Sequence, residues 1–323
     1  MAFDYIKPIE SSENYLNIAI KKAIRKTKQK KLQGNIRKID KIKNLELNKL
    51  TITRDILCSR LEQVLDQFPK FEDLNQFYKE LIHITVGKYE LESALNKIRF
   101  VTKKITEIYS FCLRKIKSSP DISSINRPKS EFYGRISSLV DSLAKELVFL
   151  EKSRKIIQSF PTIKDDMEKI AIAGFPNVGK STLLSRLSSA KPEIAEYAFT
   201  TKKILIGYLE KNGKNVIQLL DTPGTLNRQD KMNLVEKQAH LAMKLVADRI
   251  IYIFDLTEPY PLDDQIKLYE HIKKFDKPLM LYLSKTDILD KSKISEFRKR
   301  FKESITDVDE LKSKLEKIYS ASA

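Results

Sequence analysis

The sequence predicts an α plus α/β molecule: an N-terminal helical bundle, then an α/β domain whose mostly parallel six-stranded sheet has one antiparallel edge strand. Three observations carry this. Five of the eight glycines fall between Gly174 and Gly224. No proline interrupts residues 9–68, where apolar residues recur at helical spacing. From Lys169 onward, short β-rich runs alternate with helical stretches.

The helical half comes first. Leu61, Val64, Leu65 and Phe68 sit at i, i+3, i+4 and i+7; Ile136, Leu139, Val140 and Leu143 repeat that spacing and Leu147 continues it. Ile98, Val101, Ile105, Ile108 and Cys112 recur at intervals of three and four. Each stripe must be buried against another element, and with no strand nearby the partners are helices. Phe160-Pro161 stops the last helix, and residues 162–168 read as a linker. The expected domains are a basic all-helical one over 1–161 and an α/β one over 168–323. In the second, strands are expected at 170–173, 204–209, 216–220, 250–254, 279–283 and 318–319. Asn212-Gly213 marks a two-residue hairpin, since both residues tolerate positive φ. Helical stretches such as 235–246 and 262–275 separate other strands, which should therefore lie parallel.

Composition narrows the function classes. No apolar run approaches the roughly 18 residues of a membrane-spanning helix, and the opening residues lack the pattern of a secretory signal. No membrane partner is expected. Two cysteines, Cys58 and Cys112, make neither a disulfide framework nor a metal cluster, which suits a reducing, cytoplasmic setting. The net charge of +17 is uneven: residues 1–165 hold 33 Lys and Arg against 20 Asp and Glu, and residues 1–60 alone hold 15 against 6. A field of one sign attracts polyanions. By itself it does not separate RNA from an acidic protein or an anionic membrane surface.

Residues 174–181, Gly-Phe-Pro-Asn-Val-Gly-Lys-Ser, fit the phosphate-loop pattern G-x-x-x-x-G-K-[ST] between an apolar strand and a helical run. Glycines let consecutive N–H groups curl around an anion, and the following helix adds its positive end. Gly174, Phe175, Pro176, Asn177, Val178, Gly179, Lys180, Ser181 and Thr182 form the expected cradle. Lys180 would neutralise the β- and γ-phosphates, and Ser181 would ligate Mg²⁺. Asp221-Thr-Pro-Gly224 follows the strand 216–220. Asp221 would hold a magnesium-bound water, and the Gly224 N–H would sense the γ-phosphate. Thr201, with Thr200 as the alternative, supplies a hydroxyl that reaches the metal only while γ-phosphate is present. Ser284-Lys285-Thr286-Asp287 closes the strand 279–283, where the Asp287 carboxylate can accept from two guanine donors that adenine lacks. In this order the signals are those of a Ras-like P-loop G domain. Lys180, Thr201 and Gly224 would serve catalysis; Ser181, Thr201 and Asp221 would serve the metal.

These residues resemble those of the nucleolar GTP-binding proteins, the Nog-type branch of the Obg-like GTPases. The likeness rests on residues 174–184, 191–201, 221–228 and 236–239 in the G domain. In the helical half it rests on 71–80 (Phe-Glu-Asp-Leu-Asn-Gln-Phe-Tyr-Lys-Glu) and 132–136 (Phe-Tyr-Gly-Arg-Ile). The resemblance implies a GTP-hydrolysing switch in large ribosomal subunit biogenesis. Its partners would be GTP or GDP, ribosomal RNA and large-subunit precursor particles, for a short archaeal-type form that is monomeric off the ribosome. Two rival readings stay open: an RNA- or protein-binding scaffold with little turnover, and a regulatory GTPase with a protein effector only. The sequence departs from the family pattern in three places. Ser284 replaces the Asn of the guanine-recognition motif, Thr225 replaces a usual Leu, and the chain stops at Ser320-Ala321-Ser322-Ala323. Ser320 and Ala321 resemble the loop whose backbone donates to guanine O6, so the usual final helix is expected to be missing.

No glutamine follows Gly224, so unassisted hydrolysis should be slow. Asn177 has two readings: coordinating K⁺ in place of an arginine finger, or stiffening the loop by a hydrogen bond. Lys21, Lys22, Arg25, Lys26, Lys28, Lys30, Lys31, Arg37, Lys38, Lys41 and Lys43 are expected to contact RNA phosphates, against the plainer reading of a solvated basic face. Phe71, Phe77, Tyr78, Phe132 and Tyr133 read as core rather than base-stacking platforms. His83, His240 and His271 are isolated and take no catalytic role.

Overall fold

The computed structural model describes residues 3–29, 37–189, 193–196, 203–222, 232–257 and 260–322. Two compact units emerge, one made of Asp4–Asp73 and Val86–Ile157, the other of Met1–Phe3, Leu74–Thr85 and Gln158–Ala323. Among the described residues, six helices precede the sheet: α1 (Ser12–Gln29), α2 (Lys38–Gln67), α3 (Gln76–Thr85), α4 (Lys88–Ser118), α5 (Ile122–Asp141) and α6 (Ala144–Gln158).

All but α3 build the first unit, a helical bundle. The facing stripes of α2 and α4 meet through Leu50, Leu57 and Leu61 on one helix and Ile98, Ile105 and Cys112 on the other, all fully buried. Helix α5 adds Phe132, Ile136 and Val140 to that core. It begins in a capping box in which Asp121 Oδ1 accepts the Ser124 N–H at 2.8 Å, satisfying a donor the helix cannot. The apolar periodicity thus lands where burial requires it, except that Leu65 and Leu139 are only half-buried. Phe77, Tyr78 and Phe132 are core residues, while Phe71 carries the Lys88 ammonium 4.3 Å above its ring.

The second unit holds β1 (Glu168–Gly174), β2 (Glu193–Glu196), β3 (Lys203–Lys211), β4 (Lys214–Asp221), β5 (Arg249–Phe254) and β6 (Leu279–Leu283), in sheet order β2-β3-β4-β1-β5-β6. Strands β4, β1, β5 and β6 are parallel neighbours, and β3 runs against both β2 and β4. Its helices are α7 (Lys180–Leu187), α8 (Leu234–Leu241), α9 (Leu262–Lys273), α10 (Lys291–Arg300) and α11 (Val308–Ser322), with a π-helical turn, Ala242–Val246, after α8. The β3–β4 hairpin turns through Asn212 (φ 52°) and Gly213 (φ 75°), the two positive φ values that a tight primed turn needs.

Among the described residues the sheet has six strands, but its members differ from those expected. The edge strand is β2, and the reversed strand is β3, one place in. Ile318 and Tyr319 belong to α11, not to a strand. Val308, Leu311, Leu315 and Ile318 recur at helical spacing, with Leu311 and Leu315 fully buried, and this periodicity outweighs the local β preference of Ile-Tyr. The final helix is therefore present. The place beside β6 goes to Ile305: Leu283 N–H donates to Ile305 O and Ile305 N–H donates to Leu281 O, both at 2.9 Å.

Helix α3 lies between α2 and α4 in the chain, yet it packs on α8 and the π-helical turn. Its hydroxyl-bearing Tyr78 donates to Pro161 O at 2.9 Å and accepts the Ile163 N–H at 3.2 Å. From β4, the fully buried Gln218 donates to Thr162 O at 2.7 Å and accepts the Lys164 N–H at 3.0 Å. The linker at 161–164 is thereby tied to α3 and to the strand that ends in Asp221.

Candidate nucleotide site

The apolar run of β1, buried from Ile170 to Ala173, delivers the chain to Gly174 between β4 and β5. At Gly174 φ is +151°, and a Cβ would stand 2.9 Å from Ile253 O, so only glycine fits. Asn177 (φ 62°) and Gly179 (φ 95°) take left-handed conformations that curl the loop before α7 begins at Lys180. Lys180 is 7% exposed and folds back over the loop, donating to Phe175 O at 2.6 Å and to Gly174 O at 3.3 Å. Inside the loop, Val178 and Phe175 are buried, and the Phe175 ring meets Tyr260 at 4.8 Å. Pro176 is half-buried; Asn177 and Thr182 face outward.

Ser181 and Asp221 come together at the first turn of α7. The Ser181 hydroxyl donates to Asp221 Oδ2 at 2.5 Å. Asp221 is 6% exposed, and its Oδ1 is buried without a hydrogen bond among the described residues. Burial raises its pKa above the ordinary aspartate value, opposed by the Ser181 hydrogen bond and the Lys180 charge. A hydroxyl and a carboxylate with a spare buried oxygen are hard donors that suit Mg²⁺. Thr222 anchors the next step, its N–H and hydroxyl both donating to Ile172 O. Thr200, Thr201, Gly224 and Thr225 lie outside the described residues.

The segment expected to read the base follows β6. Ser284 is buried and donates its hydroxyl to Phe254 O at 3.1 Å, so it is spent on its own sheet. Its Cβ lies 3.9 Å from where a Cβ on Gly179 would be, which brings the base loop against the phosphate loop. Lys285 takes φ 55° and opens a short 3-10 turn, Thr286–Ile288, on which Asp287 is exposed.

Ser320 and Ala321 do not join this site. Both sit in α11, where the Ser320 hydroxyl donates to Glu316 O at 2.7 Å and accepts from Lys211 Nζ. The segment that ends beside the base loop is 304–307, because Ile305 bridges Tyr282 two residues before Ser284. The missed signal was Asp307: its Oδ1 accepts the Glu310 N–H at 2.9 Å, the N-cap of α11. Also missed were Asp255 and Gln265, a buried polar pair at the end of β5.

On the bundle, Lys21, Lys22, Arg25, Lys26 and Lys28 lie exposed along α1, opposite the buried Tyr15, Ala19 and Ala23. Arg37 is paired with Asp40, and Lys43 donates to Lys117 O at the end of α4. Lys30 and Lys31 lie outside the described residues.

Residues 3–164 match the NOG1 N-terminal helical domain family. The chain belongs to the NOG1 family. Residues 169–285 match the 50S ribosome-binding GTPase family, so the NOG1 helical domain is followed here by a P-loop GTPase domain. An uncharacterised protein of Methanocaldococcus jannaschii is 32% identical, the match covering 79% of this chain and 72% of that one. Nucleolar GTP-binding protein 1 of Drosophila melanogaster is 30% identical over 92% of this chain but 46% of its own length. This NOG1 chain thus spans about half of that relative. Among solved structures, the G domain of the T. maritima FeoB iron transporter is 26% identical and covers 48% of this chain and 99% of that one, with a TM-score of 0.39. No helix among the described residues is long and apolar enough to cross a membrane.

Proposed function

We propose that the chain binds GTP and GDP with Mg²⁺ at the phosphate loop, hydrolyses GTP slowly, and uses the two states to time a step of large ribosomal subunit assembly. The observation that carries this is the hydrogen bond from the exposed Ser181 hydroxyl to the buried Asp221, beside a Lys180 ammonium folded over its own loop. On nucleotide binding, Lys180 would leave the carbonyl oxygens of Gly174 and Phe175 for the β- and γ-oxygens. Ser181 would turn its hydroxyl from Asp221 to the metal, with Asp221 held ionised. Bound Mg²⁺ supplies charge neutralisation on the β- and γ-phosphates. Water oxygen then bonds to the γ-phosphorus as the bond to the bridging oxygen breaks, leaving GDP and phosphate. With no glutamine after Gly224 to orient that water, the rate stays low. Thr201 and Gly224 would hold the switch segments while the γ-phosphate is present. Asp287 would select guanine.

Asn177, exposed at φ 62°, would either help hold K⁺ or stiffen the loop by a hydrogen bond; equal hydrolysis in potassium and sodium would remove the first role. The exposed basic face of α1 supports contact with ribosomal RNA. The test is titration of the full chain with GDP, GTP and ADP, with and without Mg²⁺, then co-sedimentation with large-subunit precursors. Equal affinity for guanosine and adenosine nucleotides would sink the reading. The scaffold alternative is favoured by Ser284, whose hydroxyl is engaged by Phe254 O; it expects Lys180→Ala to co-sediment unchanged.

A further inference from the structure

Asp255 follows the last residue of β5 and is 2% exposed. Its Oδ1 accepts the N–H and the hydroxyl of Thr257, at 2.8 and 2.6 Å. Its Oδ2 stands 2.6 Å from the Lys285 ammonium. Gln265, 1% exposed, holds the main chain around it. Gln265 Oε1 accepts the Asp255 N–H at 3.0 Å, and Nε2 donates to Asp255 O at 2.7 Å and to Tyr260 O at 3.0 Å. Tyr260 in turn packs on Phe175 of the phosphate loop. One buried bracket therefore reaches both the base-reading lysine and the loop that would hold phosphates.

A carboxylate this buried needs a counter-charge, because leaving it alone in the interior costs more than the ion pair returns. Lys285 meets that need. Its ammonium is committed inward, although the side chain is one-third exposed. The side chain is thus fixed at both ends, at Asp255 and at its own backbone next to Ser284, whose Cβ lies 3.9 Å from where a Cβ on Gly179 would stand. A lysine so anchored loses its mobility and presents hydrocarbon.

We infer that Asp255 is a positioning residue for base recognition: through the ion pair it turns Lys285 from a mobile surface cation into a fixed apolar wall for a flat purine ring. This rests on the reading that the site binds guanine nucleotides. Asp287 reads the edge of the ring; Asp255 determines where its face can lie. Gln265 keeps the bracket in register with the phosphate loop.

The test is calorimetric titration of the full chain with Mg·GDP and, separately, with Mg·pyrophosphate, which uses the phosphate loop but has no base. Asp255→Asn is expected to lower GDP affinity at least tenfold and leave pyrophosphate affinity within twofold, with a cooperative melt retained. Lys285→Met, which strands the buried charge, is expected to do the same. In the double variant the two losses should be far from additive, since each removes the same pair. GDP affinity unchanged in Asp255→Asn, equal losses for GDP and pyrophosphate, or additive losses would each overturn the inference. Should Asp255→Asn not fold, Lys285→Met alone decides it, and an unchanged GDP affinity there overturns it. Failure of the unaltered chain to bind GDP at all is a separate result, seen before any variant is made, and it removes the guanine reading itself.

Discussion

Folding and the proposed Mg²⁺–nucleotide binding make opposite demands on Asp221. Burial raises its pKa, so the folded chain without ligand holds that proton more tightly than the unfolded chain does. Its contribution to stability is full below the ordinary aspartate value and is lost as pH rises through the raised one. Asp221→Asn should therefore melt higher than the parent at neutral pH, while losing Mg²⁺-dependent GDP affinity. A thermal-shift series with and without Mg·GDP checks both; a lower melting temperature in the variant would contradict the first. For the same reason the shift given by Mg·GDP should shrink as pH falls through the raised value. Gly174 offers a steric test. Gly174→Ala places a carbon against the Ile253 carbonyl in a conformation that side chains avoid, and urea unfolding should register a loss of about 1–3 kcal/mol. The phosphate loop was legible in the sequence because its glycines answer to backbone demands that few other residues meet. Asp255 and Gln265 were not, since a buried polar pair has no spacing rule and looks in sequence like any strand end and helix start.

Among the elements, the hairpin and the amphipathic helices were legible from turn chemistry and periodicity. Helix α11 was not: its last apolar residues, Ile318-Tyr319, look β-rich when taken apart from Leu311 and Leu315. That misreading placed the expected base-side loop at Ser320-Ala321, whereas the segment beside the end of β6 is 304–307. Helix α3 was opaque for another reason, because Tyr78 and its acceptor Pro161 are 83 residues apart and no local pattern reports the contact. Two predictions belong here. Leu81→Ala on α3 should cost about 2–5 kcal/mol, as for other fully buried leucines, and should also speed GDP release, since α3 supports α8; stopped-flow exchange measures this. His240 on α8 and His271 on α9 stack at 6.0 Å, beside Phe275. Burial depresses both pKa values first, helped at His240 by His271 and Lys244 and at His271 by Lys274. Their contribution is present above the ordinary histidine value and lost as pH falls through the depressed ones. The melting temperature should drop on acidification below neutrality, and His240→Phe should flatten that slope.

For the whole molecule, charge is the feature that acts at a distance. The five exposed cations of α1 face away from the buried side of that helix. If they grip phosphates, log affinity for RNA against log salt should fall with a slope of about −4, and reversing Lys22 and Lys26 to Glu should flatten it without changing GDP affinity. Filter binding across a salt series reads both. The backbone divides its labour unevenly: a dozen residues, Leu74–Thr85, leave the bundle's stretch of sequence to serve the α/β unit. Scissors applied at the linker would thus not liberate a self-sufficient GTPase. The severed C-terminal piece would lack the helix that α8 leans on and expose bare hydrocarbon to water, and supplying that short peptide in trans should restore its solubility.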